Sequence, residues 1–172
     1  MKYIEILKDI IEEVHPIFER MSSAQFSEKP SDDKWSPKEI LGHLVDSAFN
    51  NHRRLILAEN QDNLLFEGYD QDQWVKRNNY QNRSKNDVLE LWRISNLHFG
   101  ESVNSLSREK LNAKTKVHSY FAWSMIPFEE GKEESIVYLI ADYIYHTEHH
   151  IVQILLEYER KIGFNDEGYV IN

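Results

Sequence analysis

The stretch YHTEHHIVQI, residues 145–154, places three of the chain's eight histidines within five positions, among aliphatic residues. Neutral imidazoles bind zinc, nickel or a similar divalent ion, and three of them leave a coordination position for water or substrate. Such an ion lowers the pKa of a bound water, polarises an electrophile, or accepts an incoming thiolate. On a helical wheel of ~100° per residue, Ile136, Ile140, Ile144, Ile151, Ile154 and Leu155 mark the apolar centre. His150 falls near one edge of that face and His146 lies one turn earlier on the same side, whereas His149 turns toward solvent. A second strip begins at His43, beside the apolar face made by Ile40, Leu41, Leu44, Val45 and Ala48, and continues through Asp46, Ser47 and Asn50. Two such flanks meeting across a bundle would surround one ion. The competing reading is that these are surface histidines, or core histidines capped by hydrogen bonds.

Other constellations fit less well. The zinc-peptidase order HExxH is absent, because residues 146–149 read His, Thr, Glu, His. A di-iron bundle needs two Glu-x-x-His motifs on separate helices, and only Glu12 to His15 matches, beside Pro16. Cysteine is missing, which excludes disulfides, thiolate metal sites and a cysteine nucleophile. No glycine-rich phosphate loop is present.

The elements that must hold these residues are helices. Residues 2–21 carry an apolar stripe of Ile4, Leu7, Ile10, Ile11, Val14 and Phe18, with Pro16 expected to kink it. WSPKE opens a second helix, with Ser36 as cap, Pro37 in the first turn and Glu39 completing a capping box, and the pattern runs to Glu59. A third starts near Ser84 and Asp87. The fourth spans residues 133–161, with Gly163 as its stop. Two links, 60–83 and 107–132, exceed usual connection lengths and are expected to hold function or small elements of their own. VHSYFAW, residues 117–123, shows the only β-like character and is read as a short hairpin or a helical turn. The expectation is an all-α four-helix bundle with long inter-helix links, forming one domain over residues 1–172.

Composition limits the partners. Acidic residues outnumber basic ones 29 to 20, giving a net charge of −9, which argues against nucleic acid and for small molecules or proteins. No apolar run approaches the roughly 18–20 residues of a membrane span, and the N-terminus lacks a signal-peptide core. The expected location is the cytoplasm.

Together, WSPKEILGHLVDSAFNNHRRL, YHTEHHIVQI and GYDQDQWV (residues 68–75) resemble the DinB-like superfamily, especially its YfiT-like branch of metal-dependent hydrolases and thiol transferases. The resemblance implies a four-helix bundle that holds one divalent ion, zinc or nickel, through His43, His146 and His150. It also implies a homodimer and an enzyme acting on a small molecule. The reaction would be hydrolysis by water on the ion or transfer of an external low-molecular-weight thiol to an electrophile. The alternative is a non-catalytic metal-binding or stress-associated interaction protein.

Further candidates are read from the residues. Asp46 would orient a ligand or serve in catalysis, and His118 would reach over the site as a proton carrier, against plainer readings as a solvated carboxylate and a surface loop residue. Asn50 and Gln153 are candidates for a cavity mouth, and Trp74, Trp92, Trp123 and Tyr120 for pocket walls or core. His15, His52 and His98 are read as structural or exposed, and Glu148 with His149 as part of a polar outer face.

Overall fold

The computed structural model describes residues 1–126, 129–166 and 168–172. These form seven helices and one antiparallel hairpin, in two compact units. One unit comprises residues 2–50 and 69–100; the other comprises residue 1 with 51–68 and 101–172.

In the first unit, α1 (Lys2–Arg20) buries the expected stripe, with Ile10, Val14 and Phe18 fully enclosed, and the helix continues through Pro16. A capping box between Ser22 and Gln25 starts the short α2 (Ser23–Ser27), whose Phe26 packs edge-on against Phe18 at 5.8 Å between ring centroids. Trp92, on α5 (Lys85–Ser105), meets the other side of Phe18 at 6.1 Å. α3 (Pro37–Glu59) begins as anticipated: the Glu39 amide donates to Ser36 Oγ, and the Ser36 amide donates to Glu39 Oε2 at 2.9 Å. The link after α3 contains α4 (Gln71–Asn78), capped by Asp70 and ended by Asn79 in the left-handed region, φ 53°. That reversal and the following 3-10 turn, Tyr80–Asn82, bury the ring of Tyr80 against Gly42 of α3. A Cβ on Gly42 would lie 2.2 Å from that ring, so only glycine leaves room for it. Ser84 Oγ accepts from the Asp87 amide and caps α5 as expected.

In the second unit, α6 (Arg108–Asn112) is capped by Ser107, and α7 (Ile136–Ile154) buries Ile136, Leu139, Ile140, Ile144 and Ile151. VHSYFAW takes the anticipated helical turn, while its β-like part pairs with a distant segment and not in a hairpin. His118 bridges Leu64 in a parallel pairing, and Tyr120–Ala122 make one 3-10 turn. The fourth helix is shorter than the periodicity suggested, ending at Ile154 and not near 161. The chain then returns to α7 and forms β1 (Ile162–Asn165) and β2 (Gly168–Ile171), with Ile162 opposite Ile171 and Asn165 opposite Gly168. Gly163 is therefore a strand residue and not a helix stop. The physical reason is Glu148, whose buried carboxylate accepts the Lys161 and Ile162 amides at 2.7 and 2.9 Å and the Tyr158 hydroxyl at 2.8 Å. Charged-acceptor bonds of this kind outweigh the intrinsic helix preference of LLEYERK.

Candidate metal centre

α3 presents His43 almost fully buried, at 2% exposure. Its ring packs against Trp35 at 5.1 Å and Tyr69 at 6.3 Å between centroids. Each of these aromatics stands immediately before a helix cap, Ser36 and Asp70 respectively, so the capped helix starts fix both of them. One turn further along α3 lies Asp46, 3% exposed. Its Oδ1 accepts from the Tyr80 hydroxyl at 2.7 Å and from Asn78 Nδ2 at 2.8 Å, while buried Oδ2 has no hydrogen-bond partner among the described residues. Burial pushes this carboxyl up to about 6, against the lowering effect of its two donors. Tyr80 is raised well above its ordinary value by burial and by Asp46.

On α7, the rings of His146 and His150 stack one turn apart, 4.6 Å between centroids and nearly perpendicular. His150 Nδ1 lies 3.0 Å from Gln153 Oε1, an acceptor, so a neutral ring carries its proton on Nδ1 and leaves the Nε2 lone pair available. Burial holds His150 down to about 4, so it is the neutral imidazole at physiological pH. The amide of Gln153 faces the other way, its nitrogen 3.2 Å from His149 Nε2. Arg160 approaches His149 Nδ1 at 3.5 Å, and burial and that guanidinium both hold His149 below its ordinary range.

His43, His146 and His150 make a three-donor group: each offers one ring nitrogen, and these atoms all lie within 4.8 Å of one another. Three imidazole nitrogens at that separation suit a borderline divalent ion. His149 is outside the group.

His118 is not a surface residue: it is 3% exposed, with Nε2 2.6 Å from the Lys132 carbonyl, Nδ1 accepting from the Tyr120 amide, and its ring stacked on Tyr120. Both nitrogens hydrogen-bond the backbone of its own link. Asn50 folds back to donate to the Asp46 carbonyl on its own helix. Gln153 contacts two imidazoles and does not merely line a mouth. Glu148 belongs to the interior and not to a polar outer face, because the C-terminal hairpin covers that side of α7. Trp92 and Tyr120 are core, and Trp123 lies beneath the Arg54 guanidinium at 3.9 Å. His15 bonds Glu90, His98 is exposed and His52 is half-buried. Among the aromatics named from sequence, Trp74 alone joins the surroundings of His43, through Tyr69 at 5.0 Å. Trp35 and Tyr69 were missed; their position just before two helix caps, where hydrophobic staples sit, is the signal that could have found them.

The DinB superfamily profile matches residues 6–154. YfiT of Bacillus subtilis, named provisionally as a metal-dependent hydrolase, is 21% identical over 164 residues, covering 95% of this chain and 86% of the relative. A Halalkalibacterium halodurans protein with the same provisional name is 20% identical over 88% of this chain and 82% of its own. Among solved structures, B. subtilis YfiT, described as an unusual four-helix bundle, superimposes with a TM-score of 0.71 at 17% identity, covering 90% of this chain and 83% of that one. A mycothiol-dependent maleylpyruvate isomerase gives 0.62 at 8% identity, covering 87% and 58%. The chain shares the fold of that four-helix bundle and belongs to the DinB superfamily.

Proposed function

We propose that this chain is a metal-dependent enzyme acting on a small molecule, with one divalent ion, zinc or nickel, held by His43, His146 and His150. The observation that carries this reading is the convergence of three imidazole nitrogens within 4.8 Å. The provisional names of the relatives agree with it. Among the described residues three donors converge and not four, which favours a reactive over a purely structural ion, since structural sites close the coordination sphere with protein. When bound, the ion would supply Lewis-acid activation of a nucleophile, either water for hydrolysis or an external low-molecular-weight thiol for transfer to an electrophile.

The chain's own residues prepare that chemistry. Gln153 holds His150 in the tautomer that leaves Nε2 for the ion. The two aromatic rings beside His43 fix its plane. Asp46, one turn from His43, has an unfilled oxygen and a carboxyl raised to about 6, so it can take and return the nucleophile's proton near neutrality.

We place the enzyme in the cytoplasm as a homodimer without nucleic-acid or membrane partners. Net charge −9 and the lack of any described helix long and apolar enough to cross a membrane support the partner assignment. Exposed Phe49 and Ile56, two turns apart on α3, offer a face for a second copy. Light scattering over a wide concentration range tests the dimer. The function is tested by assaying zinc- and nickel-loaded protein against esters and amides, and against electrophiles with an added thiol. Turnover in either set that disappears on metal removal and returns on reloading supports the reading; turnover indifferent to metal in every active case overturns it.

A further inference from the structure

Beside His43 the first unit carries aromatic surface that its own core does not consume. Rings follow one another in contact: Trp35 to His43 at 5.1 Å, His43 to Tyr69 at 6.3 Å, and Tyr69 to Trp74 at 5.0 Å. Trp35 and Tyr69 are half-buried and Trp74 is 40% exposed. Large rings left open to water lose the free energy that burial would provide, and a contiguous row of them differs from apolar residues scattered singly.

One end of this row, Trp35, adjoins space. Trp35 lines a cavity of about 330 Å³ with Val75, Lys34, Lys76, Asp72 and Glu39. Small-molecule sites begin at roughly 300 Å³ and combine aromatic walls with a few polar groups. Charge does not define its occupant, since Glu39 is neutralised by Lys29 at 2.8 Å and the other lining charges have both signs. What the wall does select is shape. The rings stand on capped helix starts and on α4, so they form a set surface and not a loop that remodels itself.

We infer that Trp35, Tyr69 and Trp74 form a recognition wall for a small planar π-bonded group, an aromatic or conjugated substrate moiety, which the wall places beside His43. Flat π-systems gain offset or edge-to-face contacts that a saturated ring of the same size cannot make. The assignment of this wall to substrate rests on the metal-enzyme reading; the binding preference itself does not.

Binding is measured by ligand-observed NMR on tag-free protein, with 2-naphthamide as probe and decahydronaphthalene-2-carboxamide as its saturated counterpart. Metal content is measured on the same sample. The expected result is binding of naphthamide about tenfold tighter than its saturated partner. Trp74→Leu, at an exposed position that the core does not need, should reduce that preference several-fold, Trp35→Leu should do the same, and Trp123→Phe should leave it unchanged. Equal binding of the two probes, no binding of naphthamide, or a preference that survives Trp74→Leu overturns the inference. A preserved preference in protein that retains no metal counts against the enzyme reading and not the wall. A metal-loaded protein without the preference counts against the wall alone.

Discussion

Two buried carboxylates stand near the candidate ligands and are used in opposite ways. Asp46, three residues after His43, has one oxygen filled by Tyr80 and Asn78 and the other without a hydrogen bond among the described residues. Glu148, between His146 and His150 in sequence, spends both oxygens on three donors from the chain's C-terminal segment. A buried acid whose acceptors are all filled is a clamp, whereas one left half-filled has capacity for a proton. The proposed proton carrier is thus singled out by incomplete hydrogen bonding and not by proximity in sequence to a proposed ligand.

The largest expected effect falls on the support of Asp46. Gly42→Ala drives a methyl into the Tyr80 ring and displaces the hydroxyl that holds Oδ1, costing about 3 kcal/mol of stability in urea unfolding. A loss below about 0.5 kcal/mol would show that Tyr80 is not a fixed buttress. On the clamp side, Glu148→Ala strands two amides and a hydroxyl and should cost about 2 kcal/mol. Its signature is faster hydrogen exchange in residues 158–172, with metal content unchanged. Loss of metal without that exchange would erase the distinction between clamp and site.

Smaller changes sharpen the contrast. Gln153→Ala removes the acceptor that sets the His150 tautomer and should weaken metal binding about tenfold, read by competition with a chelator. Asp46→Asn tests the proton capacity directly. With its pKa raised to about 6, Asp46 binds a proton more tightly in the folded than in the unfolded chain. Its contribution is therefore most favourable below the unfolded value and declines as pH rises through the window from about 4 to 6. The asparagine variant should lack that decline and so gain stability relative to wild type as pH rises from 4 to 7. Asp142, also raised to about 6 by burial, retains its share in both proteins and cancels in the difference. A difference flat with pH would show that Asp46 is an ordinary carboxylate.

Much of this could be read in the chain, and the gaps have physical causes. Helix starts were legible because a capping box is local: Ser36 and Glu39, three residues apart, satisfy each other's backbone. The buried stripe of α1 was legible because periodicity alone sets it. The stacking of His146 on His150 one turn apart was legible from one helical wheel. Gly42 was not legible as a packing site, because the ring that requires it comes from beyond α4, and Tyr80 lies 34 residues after Asp46. Glu148 was misread for the same kind of reason. A wheel shows which side of α7 is polar, but not that a hairpin folds back to cover it. The hairpin itself hid behind a helix-favouring segment whose amides a single buried carboxylate takes.

Whether His43, His146 and His150 hold one divalent ion, as proposed, is decided by elemental analysis of tag-free protein beside its four single histidine-to-alanine variants at positions 43, 146, 149 and 150. Close to one zinc or nickel per chain is expected in the parent and in His149→Ala, with a strong loss in each of the other three. Full occupancy in His43→Ala and His146→Ala, with loss in His149→Ala, would contradict it.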